Sequence, residues 1–380
     1  MTAASIPPFD GSEFAHRLAR LRQVMRERSV DAMLLDDIEI LAYFTGYERS
    51  ISYYRACLIP LEGEPVMVLR SLDTAPFLEA AWFKAHVGYA DGEDPVALLA
   101  AEISRRYGSR VKLGLDFGSH GMTVDVFRRL QNALPQATFT EMTSVPWELR
   151  LIKSEAEIRH IEQACVIADT TMREITERVR PGMSGRDMAA FAARRYIELG
   201  ASPGHVGPIT YGKGWGFLHG HLHDTPMQEG DILHLELVPR FRGYSARLMR
   251  SVVMGRPTAA QEDTAQRLIE LQDRQIAAMV PGAPARQVDA LLRDGVLEAG
   301  LRDSYDNITG YTLGYYSQQP IRSSDFTRVL GPASDWTLEA GMVFHMYTSA
   351  MGLAVSETVL VDKAGPRRLT RLDRKLYSVE

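Results

Sequence analysis

The chain has 380 residues, of which 45% are hydrophobic and 24% are charged, and its formal net charge is -5. That length allows two or three domains, and the composition is typical of a globular protein. The slight negative charge, without a long run of like charges, gives no reason to expect nucleic acid or a membrane surface as a partner.

The beginning of the chain is polar and lacks the apolar core of a secretion signal. The cysteines, Cys57 and Cys165, do not form the pattern of a disulfide framework. No apolar stretch of the sequence approaches the length that is needed to cross a bilayer. These features predict a cytoplasmic protein.

The first part of the chain alternates between helical and strand patterns. Apolar residues at helical spacing predict helices over residues 10–28, 75–85, 95–107 and 124–133. Short apolar runs predict strands over residues 32–35, 51–59, 64–69 and 111–115. Such alternation is typical of an α/β domain, which we expect to span residues 1–148.

The second part, residues 149–380, contains a pair of helical patterns twice. Ser154 followed by Glu157 is a capping-box pattern that predicts the start of a long helix. A proline and a glycine end this helix, and a shorter helix follows. The pair recurs one hundred residues later with six identities in one register, and a β-rich stretch follows each copy. We infer an internal duplication, with two α-β halves packed as one curved sheet and helices outside.

Several motifs accompany this duplication. They are Lys153-Ser154-Glu155, His219 eleven residues before Gly230-Asp231, Gly243-Tyr244 with Arg250, and the segments 310–314, 339–343 and 357–361. In combination they resemble the superfamily of creatinase, aminopeptidase P, prolidase and methionine aminopeptidase. The resemblance implies a smaller creatinase-like α/β domain followed by a catalytic domain with the pita-bread fold.

The peptidases of this superfamily bind two metal ions through Asp, Asp, His, Glu and Glu. Carried over on the motifs, these positions fall on Glu236, Arg247, Tyr311, Tyr347 and Glu357. An arginine is always cationic and only donates hydrogen bonds, so it would repel a metal ion. We therefore expect neither a metal nor another cofactor. Metal-free branches exist in the superfamily, and among them the pattern is most similar to that of ectoine hydrolase.

The resemblance places Glu236, Glu357 and His219 in one site, and we predict these three as the catalytic residues. Two carboxylates a few ångströms apart resist being ionised together, so one would act as a base or nucleophile and the other as a proton donor. An imidazole can both take and give a proton near neutral pH, which suits a general acid or base. His234 we interpret as a structural histidine.

Other residues near the motifs are candidates for substrate binding. They are Arg247, Tyr311, Tyr347, His345, Tyr211, His221, Tyr54 and Arg55. Aromatic side chains in this number would suit a small substrate that is flat, aromatic or cationic. In creatinase an arginine of the partner subunit reaches the site, and the nearest counterpart here is Arg55. The resemblance thus also implies a homodimer whose subunits complete each other's sites.

Three functions are compatible with these residues. The first is a metal-independent hydrolase that opens a C–N bond outside a peptide, in a small amidine, amide or cyclic substrate. The second is a lyase on the same scaffold that breaks a C–C or C–S bond by proton transfer, which the tyrosines would suit. The third is a module that binds a peptide or protein without catalysis, which the retained His219, Glu236 and Glu357 disfavour. Arg247 disfavours a metallopeptidase.

Overall fold

The computed structural model describes residues 9–48, 52–316 and 326–379. The chain divides into two compact units, Met1–Arg150 and Leu151–Glu380. Both units combine helices with strands, and the predicted α/β class is confirmed. Within the described ranges, every helix is too short or too polar to cross a lipid bilayer.

The strands of the first unit are β1 Ala32–Leu35, β2 Ala56–Pro60, β3 Val66–Arg70, β4 His86–Tyr89, β5 Lys112–Leu115 and β6 Thr138–Glu141. As far as the chain is described, they form one six-stranded sheet in the order β4-β3-β2-β1-β5-β6. In this sheet β1 is antiparallel to β2 and parallel to β5. The helices are α1 Gly11–Glu27, α2 Ile38–Thr45, α3 Thr74–Ala80, α4 Pro95–Tyr107, α5 Val124–Ala133 and α6 Val145–Glu148.

Alternate residues of the central strands face two separate cores. Met33 of β1 packs into a core that also contains Leu21 of α1. Its neighbour Leu34 packs into a second core, which contains Leu99 of α4. Burial on both faces explains why β1 is a continuous apolar run in the sequence. Helices therefore cover both sides of this sheet.

Most predicted elements of the first unit are present, and the differences have local causes. The helix predicted over 75–85 ends at Ala80, because Ala81 is extended and Trp82 donates its indole N–H to the carbonyl of Phe44. Strands β4 and β6 have no counterpart among the predicted strands, because they are half-exposed edge strands without a full apolar run. Residue 51, where one predicted strand begins, lies outside the described residues.

A buried acidic group lies where β1 and β5 end. Asp36 follows β1 directly, is only 3% exposed and accepts a hydrogen bond from the hydroxyl of Ser119. Burial raises the pKa of Asp36 to about 7, and the neighbouring Asp37 and Asp116 act in the same direction. The Ser119 hydrogen bond and the Arg55 guanidinium oppose this shift without cancelling it. Below a pH of about 7, the native state therefore keeps a proton on Asp36 that an exposed carboxylate would already have lost.

The second unit contains the two predicted helix pairs, each followed by strands. Its helices are α7 Glu155–Arg178, α8 Gly185–Glu198, α9 Ala259–Ala277 and α10 Ala285–Glu298. Its strands are β7 Ile209–Gly212, β8 Ile232–Leu237, β9 Arg240–Phe241, β10 Tyr244–Ser245, β11 Leu248–Met254, β12 Gly310–Thr312, β13 Val329–Leu330, β14 Val343–Ala350, β15 Leu353–Asp362, β16 Gly365–Arg368 and β17 Tyr377–Val379. The capping box of Ser154 and Glu157 at the start of α7 is confirmed.

The strands of the second unit do not pair into the single curved sheet that we expected. Where the chain is described, one sheet has the order β17-β11-β8-β7 and another has the order β13-β12-β14-β15-β16. Side chains of β15 join the two sheets: Ser356 accepts from the N–H of Met249 at 2.7 Å, and Thr358 accepts from the N–H of Arg247 at 3.0 Å. These hydrogen bonds replace a ladder between β11 and β15, and they hold the two halves edge to edge.

The raised pKa of Asp36 predicts a specific pH dependence of stability. The native pKa of about 7 lies above the ordinary value of about 3.9, so between these two pH values the native state binds more protons than the unfolded state. The contribution of Asp36 to the free energy of unfolding therefore falls as the pH rises through this window. Asp36→Asn removes the titration. In urea unfolding from pH 4 to pH 8, the free energy of unfolding of the variant should therefore increase relative to that of the wild type as the pH rises.

The size of this gain should be about 1.4 kcal/mol for each unit of pKa shift. Asp125→Asn, which removes an exposed carboxylate of the same unit, serves as the control and should follow the wild type at every pH. A constant difference between Asp36→Asn and the wild type across this pH range would contradict the assignment.

Candidate active site

Strand β8 places two polar side chains on one face of its sheet. Glu236 lies opposite Met249 of β11, and His234 lies opposite Ser251. Residues that face each other in an antiparallel pair, and residues two apart on one strand, share a face of the sheet. Glu236 is 4% exposed and His234 is 1% exposed, so both polar groups are largely withdrawn from water.

Glu236 forms an ion pair with Arg247. The Nη1 atom of Arg247 donates to Oε1 of Glu236 at 3.2 Å. The side chain of Arg247 is 11% exposed and that of Glu236 is 5% exposed. The guanidinium carbon lies 5.2 Å from the ring centre of Tyr316 and 5.8 Å from that of Tyr311. Because Thr358 binds both the N–H and the carbonyl of Arg247, the backbone beneath this ion pair is fixed.

The second sheet brings three aromatic side chains to the same region. Tyr311 of β12 lies opposite His345 of β14, and the tyrosine oxygen and Nδ1 of the imidazole are hydrogen-bonded at 2.8 Å. Tyr347 stacks on His345 with ring centres 5.2 Å apart. Burial, reinforced by the Arg247 charge, lowers the pKa of His345 well below its usual range, so this imidazole is neutral. Its Nε2 atom is buried and has no hydrogen-bond partner in the described part of the chain.

A cavity of about 340 Å³ opens beside these strands. Its walls are formed by Trp215, Gly216, Leu218, His219, His234, Met249, Asn307, Tyr347, Ser349 and Ala354. Burial, together with the nearby His219, lowers the pKa of His234 to about 3, so His234 is neutral at physiological pH. His219 itself is exposed at the rim. The cavity thus connects the predicted acid/base histidine with His234 of β8, and it includes Met249, which lies opposite Glu236.

Glu357 does not join this site, and its predicted pairing with Glu236 is wrong. On β15 it is Ser356 that lies opposite Tyr347, whereas Glu357 lies opposite Met346 on the other face. Glu357 is fully buried there and accepts hydrogen bonds from Arg250 at 2.8 Å and from Thr370. A shift of one residue along a strand moves a side chain to the opposite face, and this is why the motif alone misplaced the carboxylate.

Arg250 makes this pairing part of the scaffold. Its guanidinium group is buried and also donates to the carbonyls of Met249, Ser356 and Leu372. Glu357 and Arg250 therefore connect β11 and β15 with the segment that follows β16. A buried pair with so many partners has a structural role, and it leaves neither group available to a substrate.

Two other predicted binding residues also lie outside the cluster. Tyr211 of β7 is opposite Leu233, on the face that points away from Glu236, and its hydroxyl binds Thr225. His221 is exposed and is not among the residues that line the cavity. The structure does not bring these two side chains to the cluster, and their binding of substrate stays a prediction.

Tyr54 and Arg55 belong to the first unit. The hydroxyl of Tyr54 donates to Asp36 at 3.4 Å, and the positive charge of Arg55 interacts electrostatically with the same carboxylate. Their contribution across a dimer stays a prediction.

Sequence reasoning left His234 out of the site and did not define the apolar cavity wall. The interpretation of His234 as a structural histidine misses that its Nδ1 atom is buried and without a hydrogen-bond partner among the described residues. The available signal was its spacing: two residues before Glu236 on a regular strand, it had to share the face of that carboxylate. Trp215 and Asn307 belong to loops, whose packing the local sequence does not encode.

The residues at this site do not fit a pair of metal ions. Hard divalent ions need several oxygen or imidazole ligands, and here the cluster offers one carboxylate with a guanidinium group bound to it. Across the described residues, no group of three or more His, Cys, Asp and Glu side chains is arranged to hold a metal ion. Ser356 occupies the remaining position on the site face. Besides the paired glutamate, the cluster offers hydroxyl groups and the imidazoles of His234 and His345, which are not arranged with it as a metal site.

Comparisons with known proteins agree on the architecture. Residues 159–363 match the model of metallopeptidase family M24, and residues 17–152 match that of the creatinase/prolidase N-terminal domain. The crystal structure of a prolidase from Thermococcus sibiricus superposes with a TM-score of 0.83 at 21% identity, covering 96% of this chain and 99% of that chain. The predicted creatinase-like domain followed by a pita-bread domain is confirmed.

Curated relatives extend along the whole chain. The ectoine hydrolase of Halomonas elongata is 26% identical and covers 97% of this chain and 98% of that protein. The Xaa-Pro dipeptidase of Pyrococcus furiosus is also 26% identical, covering 95% of this chain and 99% of that protein. These two relatives carry different enzyme names at the same identity. The similarity therefore does not decide the reaction, which has to be inferred from the residues of the site.

The placement of Glu357 predicts a loss of stability when its charge is removed. In Glu357→Gln the buried Arg250 loses its anionic partner, and breaking a buried ion pair in this way typically costs about 3–5 kcal/mol. Urea unfolding of the purified variant measures this cost. Glu162→Gln is the matched control, because its pair with Arg367 is exposed and such pairs are worth about 1 kcal/mol or less. Equal stability of the two variants would contradict the structural role.

Proposed function

The chain belongs to metallopeptidase family M24, a family of hydrolases, and on that premise we propose that it hydrolyses a C–N bond of a small non-peptide substrate without a metal ion. The substrates that we propose are amidines, amides or cyclic compounds of that kind. One observation carries the proposal: the buried carboxylate of Glu236 is paired with the cation of Arg247, where a metallopeptidase needs a second anionic ligand.

Glu236 is the group that activates water. Its carboxylate takes a proton from a water molecule, the water oxygen forms a bond to the substrate carbon, and the C–N bond breaks as the nitrogen takes up a proton. Proton transfer by a positioned side chain typically contributes about 10²–10⁴ in rate. Arg247, which holds the carboxylate at 3.2 Å, fixes the direction in which Glu236 points and places a positive charge beside the oxygen where negative charge develops.

His219 supplies the proton for the leaving nitrogen. It lines the same cavity as His234, and its exposure at the rim lets it exchange protons with solvent. His234 and His345 are too deeply buried for this role, because burial holds both imidazoles neutral. Of the three, His219 alone suits an acid that is recharged after each turnover.

The relatives support hydrolysis and suggest where to begin. One full-length relative carries the name ectoine hydrolase, so ectoine heads the panel of substrates to be tested. Small cyclic amidines and amides complete the panel, and Xaa-Pro dipeptides represent the peptidase branch, which the dipeptidase relative exemplifies.

A lyase reaction is a second candidate, and the contact between Tyr311 and His345 favours it. A phenol hydrogen-bonded at 2.8 Å to a neutral, buried imidazole is a pair that could carry a proton during an elimination. Reactions run in ¹⁸O-labelled water distinguish the two candidates. Hydrolysis adds one labelled oxygen to the product, whereas elimination adds none.

We also propose that the enzyme acts as a homodimer in the cytoplasm. The support is the resemblance to creatinase, in which an arginine of the partner subunit reaches the site. Arg55 and Tyr54 would have that role here. The mass of the purified protein in solution, measured by light scattering, is the first check, and an active monomer would contradict it.

The proposed role of Glu236 predicts a large loss of turnover in one variant. Glu236→Gln keeps the shape of the side chain and removes its ability to accept a proton, so kcat should fall by about 10²–10⁴. The measurement is steady-state turnover of the compound that the panel identifies. Glu339→Gln is the matched control, because that side chain is exposed and it should keep wild-type activity. Near-wild-type kcat in a folded Glu236→Gln would contradict the assignment of Glu236 as the group that activates water.

A further inference from the structure

The imidazole of His234 carries an unsatisfied hydrogen-bonding atom. Its Nδ1 is buried and has no partner among the described residues, although the side chain is only 1% exposed. Leaving a buried polar atom unpaired costs about 1–3 kcal/mol, and native proteins rarely do so without a reason. His234 lines the cavity, so a molecule inside it could bind this imidazole.

The walls of this cavity suit a neutral group of ring size. Trp215, Leu218, Met249 and Ala354 provide apolar surface, and Tyr347 adds the face of an aromatic ring. The cavity volume of about 340 Å³ falls at the lower end of the range of pockets for small molecules. Burial holds the pKa of His234 at about 3, so this imidazole adds no charge at neutral pH. The cavity therefore offers apolar and aromatic side chains together with a neutral imidazole.

The cavity is close enough to Glu236 to hold part of the same molecule. His234 and Glu236 are two residues apart on β8, which is about 6–7 Å along a strand, and both side chains are on one face. Met249, which lines the cavity, lies directly opposite Glu236. A substrate whose reacting bond is at Glu236 would thus place its remaining part beside His234.

We propose that His234 determines substrate specificity: the non-reacting part of the substrate is a neutral ring that occupies the cavity and bears a hydroxyl or amide group bound to the imidazole of His234. The proposal rests on the proposed function in assigning the reacting bond to Glu236. It narrows the substrates to compounds that combine a C–N bond with a ring carrying such a polar group. An imidazole nitrogen can donate or accept according to its tautomer, and a hydroxyl or an amide can answer either.

Two small probes test the binding part of this proposal without any turnover. Phenol is a neutral ring with a hydroxyl group, and toluene has a methyl group in its place. Their dissociation constants are measured by ligand-observed NMR for the wild type and for His234→Leu, which removes the nitrogen. The quantity of interest is the preference for phenol over toluene, compared between the two proteins. His16→Leu, which removes an exposed histidine of α1, is the matched control.

The wild-type preference for phenol should fall by about 5–30-fold in His234→Leu, which corresponds to one hydrogen bond of about 1–2 kcal/mol. The control should keep the wild-type preference. A second variant, His234→Asn, keeps a polar side chain at this position and should retain part of it. In protein labelled with ¹⁵N at histidine, phenol should shift the imidazole nitrogen signals of His234, so the test stands even if the leucine variant does not fold.

An unchanged preference in His234→Leu would overturn the proposal, and so would a failure of both probes to bind at millimolar concentration. The same titrations with Glu236→Gln separate this outcome from a failure of the proposed function. That variant should bind phenol as the wild type does, whether or not Glu236 is catalytic. On an identified substrate, His234→Leu should raise KM by about 5–30-fold and change kcat far less, since it removes binding rather than chemistry.

Discussion

The contact between a guanidinium group and a carboxylate decides what this site can do. Arg247 donates to Glu236 at 3.2 Å, in surroundings where both side chains are largely withdrawn from water. A cation fixed in that position opposes a divalent ion and keeps the glutamate as a side chain that can act by itself. The neutral imidazoles of His234 and His345 on either side leave this pair as the charged centre of the cluster.

A second ion pair holds the framework on which this centre depends. Arg250 and Glu357 are adjacent in sequence to the site residues Met249 and Ser356, but they point to the opposite face of their strands. The hydrogen bonds of Arg250 connect β11 with β15. The side chains of Ser356 and Thr358 connect the same two strands by accepting from backbone N–H groups of Met249 and Arg247. Two carboxylates that the motifs present as equals therefore lie in different surroundings: Glu357 is bound within the scaffold, and Glu236 is the one that we propose acts on the substrate.

The sequence predicts the elements of this fold better than the membership of its site. Apolar spacing and capping residues are local signals, and they placed α4, α5 and the start of α7 at Ser154 correctly. The face on which a strand residue lies depends on a register of single residues, and this is how Glu357 was assigned to the wrong side. The contact between Tyr311 and His345 was not predicted, although both residues were named as candidates for substrate binding.

His234 shows the other limit of such reasoning. Whether a buried imidazole is satisfied depends on atoms from distant segments, and the sequence around β8 contains no information about them. Likewise, the joining of the two sheets by Ser356 and Thr358 depends on side chains that look unremarkable in the sequence. Residues of this kind become functional candidates only when burial and hydrogen bonds are known.

The central claim is that Arg247 keeps divalent metal from the carboxylate of Glu236. Electron paramagnetic resonance of Mn²⁺, titrated into metal-free protein, measures this directly, because bound Mn²⁺ loses the sharp spectrum of the free ion. We expect the wild type to bind no stoichiometric Mn²⁺ through Glu236, so that its titration matches that of Glu236→Gln. Tight, stoichiometric binding by the wild type that Glu236→Gln abolishes would contradict the account.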